Sequence, residues 1–309
     1  MTTPAHDEMA PYRASAVSAL NRIQQGLSRP PLELVHVPHS QWPVPRTHPT
    51  GTRRSLKILV LDASYNPPTL AHLALANSPA SYSKHTSAAH DTSEYDAKLL
   101  LLSVRNADKA LKPWDATYRQ RLEMIKVFAA VVNTKQGSPN AGETLQNNVA
   151  IAIIDEPTFV GKSTILQTFF RAKSAAFAPD LSFDTQLNFS WRLALPRYYQ
   201  SQEHMLESLR KFLSPAPQGD DSRIICAKRG SSSSSESVSA SAGLAVVQEF
   251  ISSGRIAIID INEDVRTYSS SEVRNTIHRR GLDAQEWGKF VPDGIANYIV
   301  DEKLYADLE

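Results

Sequence analysis

Five short runs along the chain are apolar on both faces: 56–61, 99–104, 149–154, 224–227 and 256–261. Short runs of this kind, rich in Val, Ile and Leu, predict strands buried on both sides, as in a parallel sheet. Between them the pattern changes to a helical period. Over 117–132, Tyr118, Leu122, Ile125 and Ala129 share one face, while Arg119, Gln120 and Lys126 lie elsewhere. A second helix is predicted over 242–251. Strands alternating with helices at these spacings predict a Rossmann-like three-layer α/β fold with a central parallel sheet and a helical C-terminal region.

Polar stretches near 77–96, 134–148 and 230–241 interrupt the alternation and read as loop insertions. The last contains Ser231–Ser235, which cannot contribute to a core. The first 50 residues read differently from the rest. Val17, Leu20, Ile23 and Leu27 fall near helical spacing, and Arg13, Arg22 and Arg29 lie among Ser and Ala with no acid. This fits an N-terminal helix laid on a core, and it also fits a mitochondrial transit peptide. Asp7 and Glu8 just upstream favour the first. Pro38, Pro43, Pro45 and Pro49 then mark an extended connector. The expected division is a helix and connector over 1–50 and one domain over 51–309.

Charge adds little: 33 Lys and Arg stand against 32 Asp and Glu. The balance argues against a dedicated nucleic-acid surface. Apolar runs of about six residues cannot span a bilayer, which takes about 20. A single cysteine, Cys226, excludes an intrachain disulfide and a Cys-based zinc cluster, and fits a reducing compartment. A cytoplasmic or nuclear location is expected, without a membrane or nucleic-acid partner.

Two motifs carry candidate chemistry. Directly after the first strand comes Asp62-Ala63-Ser64-Tyr65-Asn66-Pro67-Pro68-Thr69-Leu70-Ala71-His72. The prolines end the strand, Thr69 caps the next helix, and His72 falls in its first turn. Helix N–H groups point there, so the turn suits a phosphate. A capped helix with a partly buried histidine is the plainer alternative. The second motif, Tyr268-Ser269-Ser270-Ser271-Glu272-Val273-Arg274, follows the last strand. It offers hydroxyls at a helix start and an arginine one turn on, a second polyanion cradle. Ser269 with Glu272 also has capping-box spacing. Gly161-Lys162-Ser163-Thr164 imitates a P-loop, but Glu156 stands where the first glycine is required, so a helix start after Pro157 is the better reading.

Taken together, the two motifs resemble the signatures of the nucleotidylyltransferase superfamily. Thr69-Leu70-Ala71-His72 looks like its (H/T)xGH, and Tyr268 to Arg274 looks like its ISSTxxR. The run Ser64 to Thr69 is similar to the GSFNPPT of nicotinamide mononucleotide adenylyltransferases, and 290–299 resembles their VPxxVxxYI ending. The likeness is greatest to the fungal group and runs from about Leu56 to Tyr305. Ala63 and Ala71 depart from the family's glycines. The stretch 181–193 departs further, and Asp184-Thr185 is its nearest match to a Gly-x-Asp-Thr turn that holds ribose.

The resemblance implies transfer of the adenylyl group of ATP to nicotinamide mononucleotide, giving NAD and pyrophosphate. Its Mg²⁺ would be held by phosphates and water rather than by a protein metal site. It implies His72 and Arg274 as catalytic groups, with Ser64, Tyr65, Asn66, Thr69, Ser269, Ser270 and Ser271 binding ATP phosphates. Lys109, Trp114, Asp184 and Thr185 are weaker candidates for the mononucleotide. Trp114-Asp115 resembles the family's substrate-side region; Trp114 would stack on a ring or lie in the core. The alternative is a nucleotide-binding protein or ATPase of the same fold with lost or altered transfer activity.

Overall fold

The computed structural model describes residues 6–44, 55–79, 95–105, 113–132, 148–177, 182–188, 199, 201–215, 217–227 and 242–306. Side chains are described for these except 6–8, 55, 174–177, 182–188 and 242–244. Lys109 and Ser231–Ser235 lie outside the described residues, as do most positions of the three expected insertions.

The chain begins with α1 (His6–Gln24), β1 (Leu32–His36), β2 (Ser55–Asp62), α2 (Leu70–Ala76), β3 (Ala97–Ser103), α3 (Tyr118–Val131) and β4 (Val149–Ile154). It continues with α4 (Phe159–Phe177), β5 (Ser182–Asn188), α5 (Gln202–Leu213), β6 (Arg223–Ala227), α6 (Ala242–Ser252) and β7 (Ile256–Ile259). The end is helical: α7 (Glu263–Arg266), α8 (Ser270–Arg280), a 3₁₀ segment (Gln285–Phe290) and α9 (Asp293–Asp301).

Among the described residues the strands form one sheet in the order β1-β4-β3-β2-β5-β6-β7. All neighbours are parallel except β1, which runs antiparallel to β4 at one edge. Strand alternation sends side chains to two separate cores. Leu100, Leu102, Ile151 and Ile153 face α1, α2, α3, α8 and α9. Leu99, Leu101, Ala150 and Ala152 face α4, α5 and α6. This is the expected three-layer α/β fold. From β2 the chain builds outward through β3 and β4, then returns past β2 to build β5, β6 and β7 on the other side. The reversal falls between β2 and β5, whose carboxyl ends are the usual ligand position in open α/β sheets.

Two expectations are corrected here. The connector expected after the first helix contains a strand: β1 pairs Leu32 with Ile154 and Leu34 with Ala152. The face of α1 is also different. Met9, Tyr12, Ala16, Ala19 and Ile23 are buried, whereas Val17 and Leu27 are 38% and 65% exposed. Small Ala16 and Ala19 let the helix approach closely, a stripe hidden when only large apolar residues are counted.

A buried acid ties this helix down. Glu123 on α3 is held by Arg13 of α1 at 2.9 Å and accepts a 2.9 Å bond from Tyr298 of α9. Tyr12 adds a 2.8 Å bond to the Leu122 carbonyl. No described helix is long and apolar enough to cross a membrane.

Candidate functional site

The first motif begins where β2 ends. Asp62 forms a 2.6 Å ion pair with Lys162, and both side chains are 6% exposed. Lys162 lies in the first turns of α4, so the Gly161–Thr164 stretch is helical rather than a phosphate loop. Its ammonium joins α4 to the end of the central strand. Beyond Asp62, Tyr65 takes a φ of 46°, in the left-handed region that a bulky residue adopts only when its surroundings enforce it. The enforcing contacts are visible: its hydroxyl donates to the Leu61 carbonyl at 2.5 Å, and its ring packs near Phe128 and His72. Burial raises the phenol well above its ordinary pKa, with Asp62 adding to the shift. This corrects one expectation: the Tyr65 side chain is a fully buried anchor, not a phosphate contact.

Asn66 is the centre of the next layer. Its side-chain Nδ2 donates to Asp115 Oδ1 at 2.8 Å, while its side-chain Oδ1 accepts from Ala116 N–H at 3.2 Å and Tyr305 O–H at 3.0 Å. Those bonds occupy the amide inside the protein, and the residue is 3% exposed. Asn66 therefore shapes the loop, and a direct side-chain contact to ATP is not what its geometry provides.

At the start of α2, Thr69 N–H donates to His72 Nδ1 at 3.0 Å, and Thr69 Oγ1 is 2.8 Å from the same nitrogen. His72 thus stands in the acidic position of a capping box. An Nδ1 that accepts a backbone N–H assigns the proton of the neutral ring to Nε2. His72 then presents an N–H donor on the side away from its own cap. Thr69 itself is fully buried, so its hydroxyl serves His72 rather than a ligand.

The second motif starts α8. Ser269 is the N-cap and accepts from Glu272 N–H at 3.1 Å. Ser270 reaches out of its helix and donates to the Pro67 carbonyl at 2.7 Å. Arg274 donates from Nη1 to the Asn66 carbonyl, and its Nε lies 3.1 Å from Asp115 Oδ1. Its Nη2 lies 3.5 Å from Ser271 Oγ. Residues more than 200 positions apart are thus bonded directly. Of the expected phosphate hydroxyls, Ser64 and Ser271 are exposed, whereas Thr69 and Ser270 bond within the protein.

Sequence reasoning left three further residues unassigned. Asp115 carries Arg274 on one oxygen and has Arg121 Nη2 at 3.9 Å from the other. Arg121 is 6% exposed and also donates from Nε to the Ala116 carbonyl at 2.8 Å. Burial lowers the pKa of Arg121, and Asp115 opposes the shift. Two guanidiniums around one carboxylate leave excess positive charge, which favours an anion. Tyr305 supports Asn66 from the far end of the chain, its pKa raised chiefly by burial. For Asp115 the one sequence signal was the resemblance of Trp114-Asp115 to the family's substrate-side region; its pairing with Arg274 is visible only in the fold.

The remaining candidates divide. Trp114 is 41% exposed and stacks on His278 of α8, with ring centres 5.2 Å apart and planes 18° off parallel. It is a surface ring beside the site, not a core tryptophan. Asp184 and Thr185 lie within β5, opposite Lys57 and Ile58 of β2. That corrects the expected turn: the pair stands inside the strand, three residues or more before its carboxyl end at Asn188. β5 reads Ser-Phe-Asp-Thr-Gln-Leu-Asn, and its polar residues hid a central strand from a search for apolar runs. Among the described residues, no group of three His, Cys, Asp or Glu side chains could cage a metal ion.

No protein-family profile matches the chain, and no curated protein does. Among solved structures it is similar to Plasmodium falciparum nicotinic acid mononucleotide adenylyltransferase complexed with APC. The TM-score is 0.45 at 15% identity, over 81% of this chain and 97% of that one. The same enzyme complexed with NaAD gives 0.44 at 16% identity, over the same shares.

Proposed function

We propose that the chain is a nucleotidyltransferase of NAD biosynthesis, passing the adenylyl group of ATP to nicotinamide mononucleotide and releasing pyrophosphate. One observation carries this reading. The two motifs, remote in sequence, meet through Ser270–Pro67 and Arg274–Asn66 at the switch point of the sheet. Two helix starts and two buried guanidiniums then border one crevice, which suits a polyphosphate.

In this reading the mononucleotide's 5′-phosphate attacks the α-phosphorus of ATP, and the bond to the β-phosphate oxygen breaks. ATP arrives with its Mg²⁺, so the protein needs no carboxylate cage. His72 Nε2–H donates to a phosphate oxygen on which charge grows. Ser271, Arg274 and the first N–H groups of α8 receive the departing pyrophosphate. Ser64 lines the entrance, and Trp114 offers a stacking surface on the acceptor side. Positioning and charge neutralisation supply the rate, with no covalent enzyme intermediate.

A second reading has its own observation. Asp184 and Thr185 lie within a strand, so this pair supplies no ribose-holding turn. A protein that binds ATP but hydrolyses it, or only senses it, would fit that feature. Purified full-length protein incubated with ATP, Mg²⁺ and nicotinamide mononucleotide separates the two. The transferase reading expects dinucleotide and pyrophosphate in equal amounts. ADP and phosphate without dinucleotide would replace it with the second. Nicotinic acid mononucleotide in a parallel reaction tests the acceptor.

A further inference from the structure

We propose that Asp115 is the positioning residue of the anion site, holding the Arg274 guanidinium in the orientation that grips a pyrophosphate group; this rests on the nucleotidyltransferase reading for the identity of the anion.

The geometry is specific. Asp115 Oδ1 takes Asn66 Nδ2–H at 2.8 Å and lies 3.1 Å from Arg274 Nε. One oxygen thus binds a group from each motif. The Asp115 side chain is 10% exposed and that of Arg274 12%, so water competes weakly for either. A guanidinium is planar: once Nε is held by Asp115 and Nη1 by the Asn66 carbonyl, the plane is determined. Its third nitrogen, Nη2, is then directed to the start of α8, beside Ser271. Arg121 near Asp115 Oδ2 keeps the carboxylate from neutralising Arg274 fully. The carboxylate therefore trades some attraction for orientation.

That trade gives the test a diagnostic sign. By charge alone, Asp115→Asn would tighten anion binding, because a negative charge leaves the site. Positioning expects the reverse. The measurement is the affinity of full-length protein for inorganic pyrophosphate with Mg²⁺, by calorimetry, in a double-mutant cycle of Asp115→Asn and Arg274→Ala. We expect Asp115→Asn to weaken binding about tenfold in the wild-type background and less than about twofold with Arg274→Ala. Tighter or unchanged binding in the single variant, or an equal loss in both backgrounds, overturns the proposal. So does wild-type protein that binds no pyrophosphate.

If Asp115→Asn does not fold, Asp115→Glu carries the same cycle, since it keeps the charge and displaces it by one methylene. The transfer assay on wild-type protein is a separate arm. Pyrophosphate binding with the expected coupling but without dinucleotide formation sinks the transferase reading and leaves the role of Asp115 standing.

Discussion

The starts of α2 and α8 adjoin the same loop after β2 but are built by different means. The α2 start is held by its own residues: Thr69 and His72, three positions apart, satisfy each other. The α8 start has a local cap at Ser269, but its orientation comes from afar, through Ser270 to Pro67 and Arg274 to Asn66 and Asp115. A local cap survives rearrangement elsewhere, because both partners move together. A long-range tie transmits any displacement of one segment to the other. The hydrogen bonds that fix the histidine of α2 are thus local, whereas the arginine of α8 is only as well placed as the loops it touches.

The largest effect is expected at the locally bonded end. His72→Ala removes the Nε2 donor, and donors aimed at transition-state charge are worth about 10²–10³ in kcat. The ATP dissociation constant should change far less. Near wild-type turnover would reduce His72 to a capping residue. Arg274→Lys comes next, with an expected loss of about 10–100-fold in kcat, because an ammonium cannot reproduce the fork. Like His72→Ala, which strips the Thr69 cap, it should also lower the melting temperature, since bonds to the Asn66 carbonyl and Asp115 go with it. Unchanged pyrophosphate release by the Lys variant would remove the clamp.

Two serine variants sharpen the contrast on a smaller scale. Ser270→Ala breaks the tie to Pro67 and should cost about 1 kcal/mol of stability, within the usual range for a hydrogen bond. Its kcat should fall as well, because α8 loses a tether to the first motif. Ser269→Gly removes only a local cap and should cost a few tenths of a kcal/mol. Denaturant unfolding of both variants under one buffer decides the order. A larger loss from Ser269→Gly would mean that α8 is held by its cap after all.

Sequence legibility follows the same division. The strands readable from the chain were those dominated by apolar residues: β2, β3, β4 and β6, buried on both faces, and the edge strand β7. β5 lies between two of them yet mixes polar and apolar residues, and β1 hid in a stretch dominated by prolines. The face of α1 was misjudged because alanine contributes to packing through its small size, which a count of large apolar residues ignores. Capping was legible at Thr69 and Ser269, since each cap and its partner are three residues apart. Tyr65 was the opposite case. Nothing local shows that its ring turns inward, and only Leu61, Phe128 and His72 together impose it.

By itself the chain determined its layer architecture, its helix caps and the residue types gathered into each motif, because these depend on neighbours within about one helical turn or on side-chain alternation. Tertiary structure decided which of those residues bond within the protein. Asn66, Thr69 and Ser270 became internal ties, Trp114 a surface ring on His278, and Asp184 and Thr185 parts of a strand. It also joined Asp115, Arg121, Lys162 and Tyr305, all outside the two motifs, to motif residues. The physical reason is that a buried charge needs a partner wherever the fold supplies one, and sequence separation plays no part in that pairing.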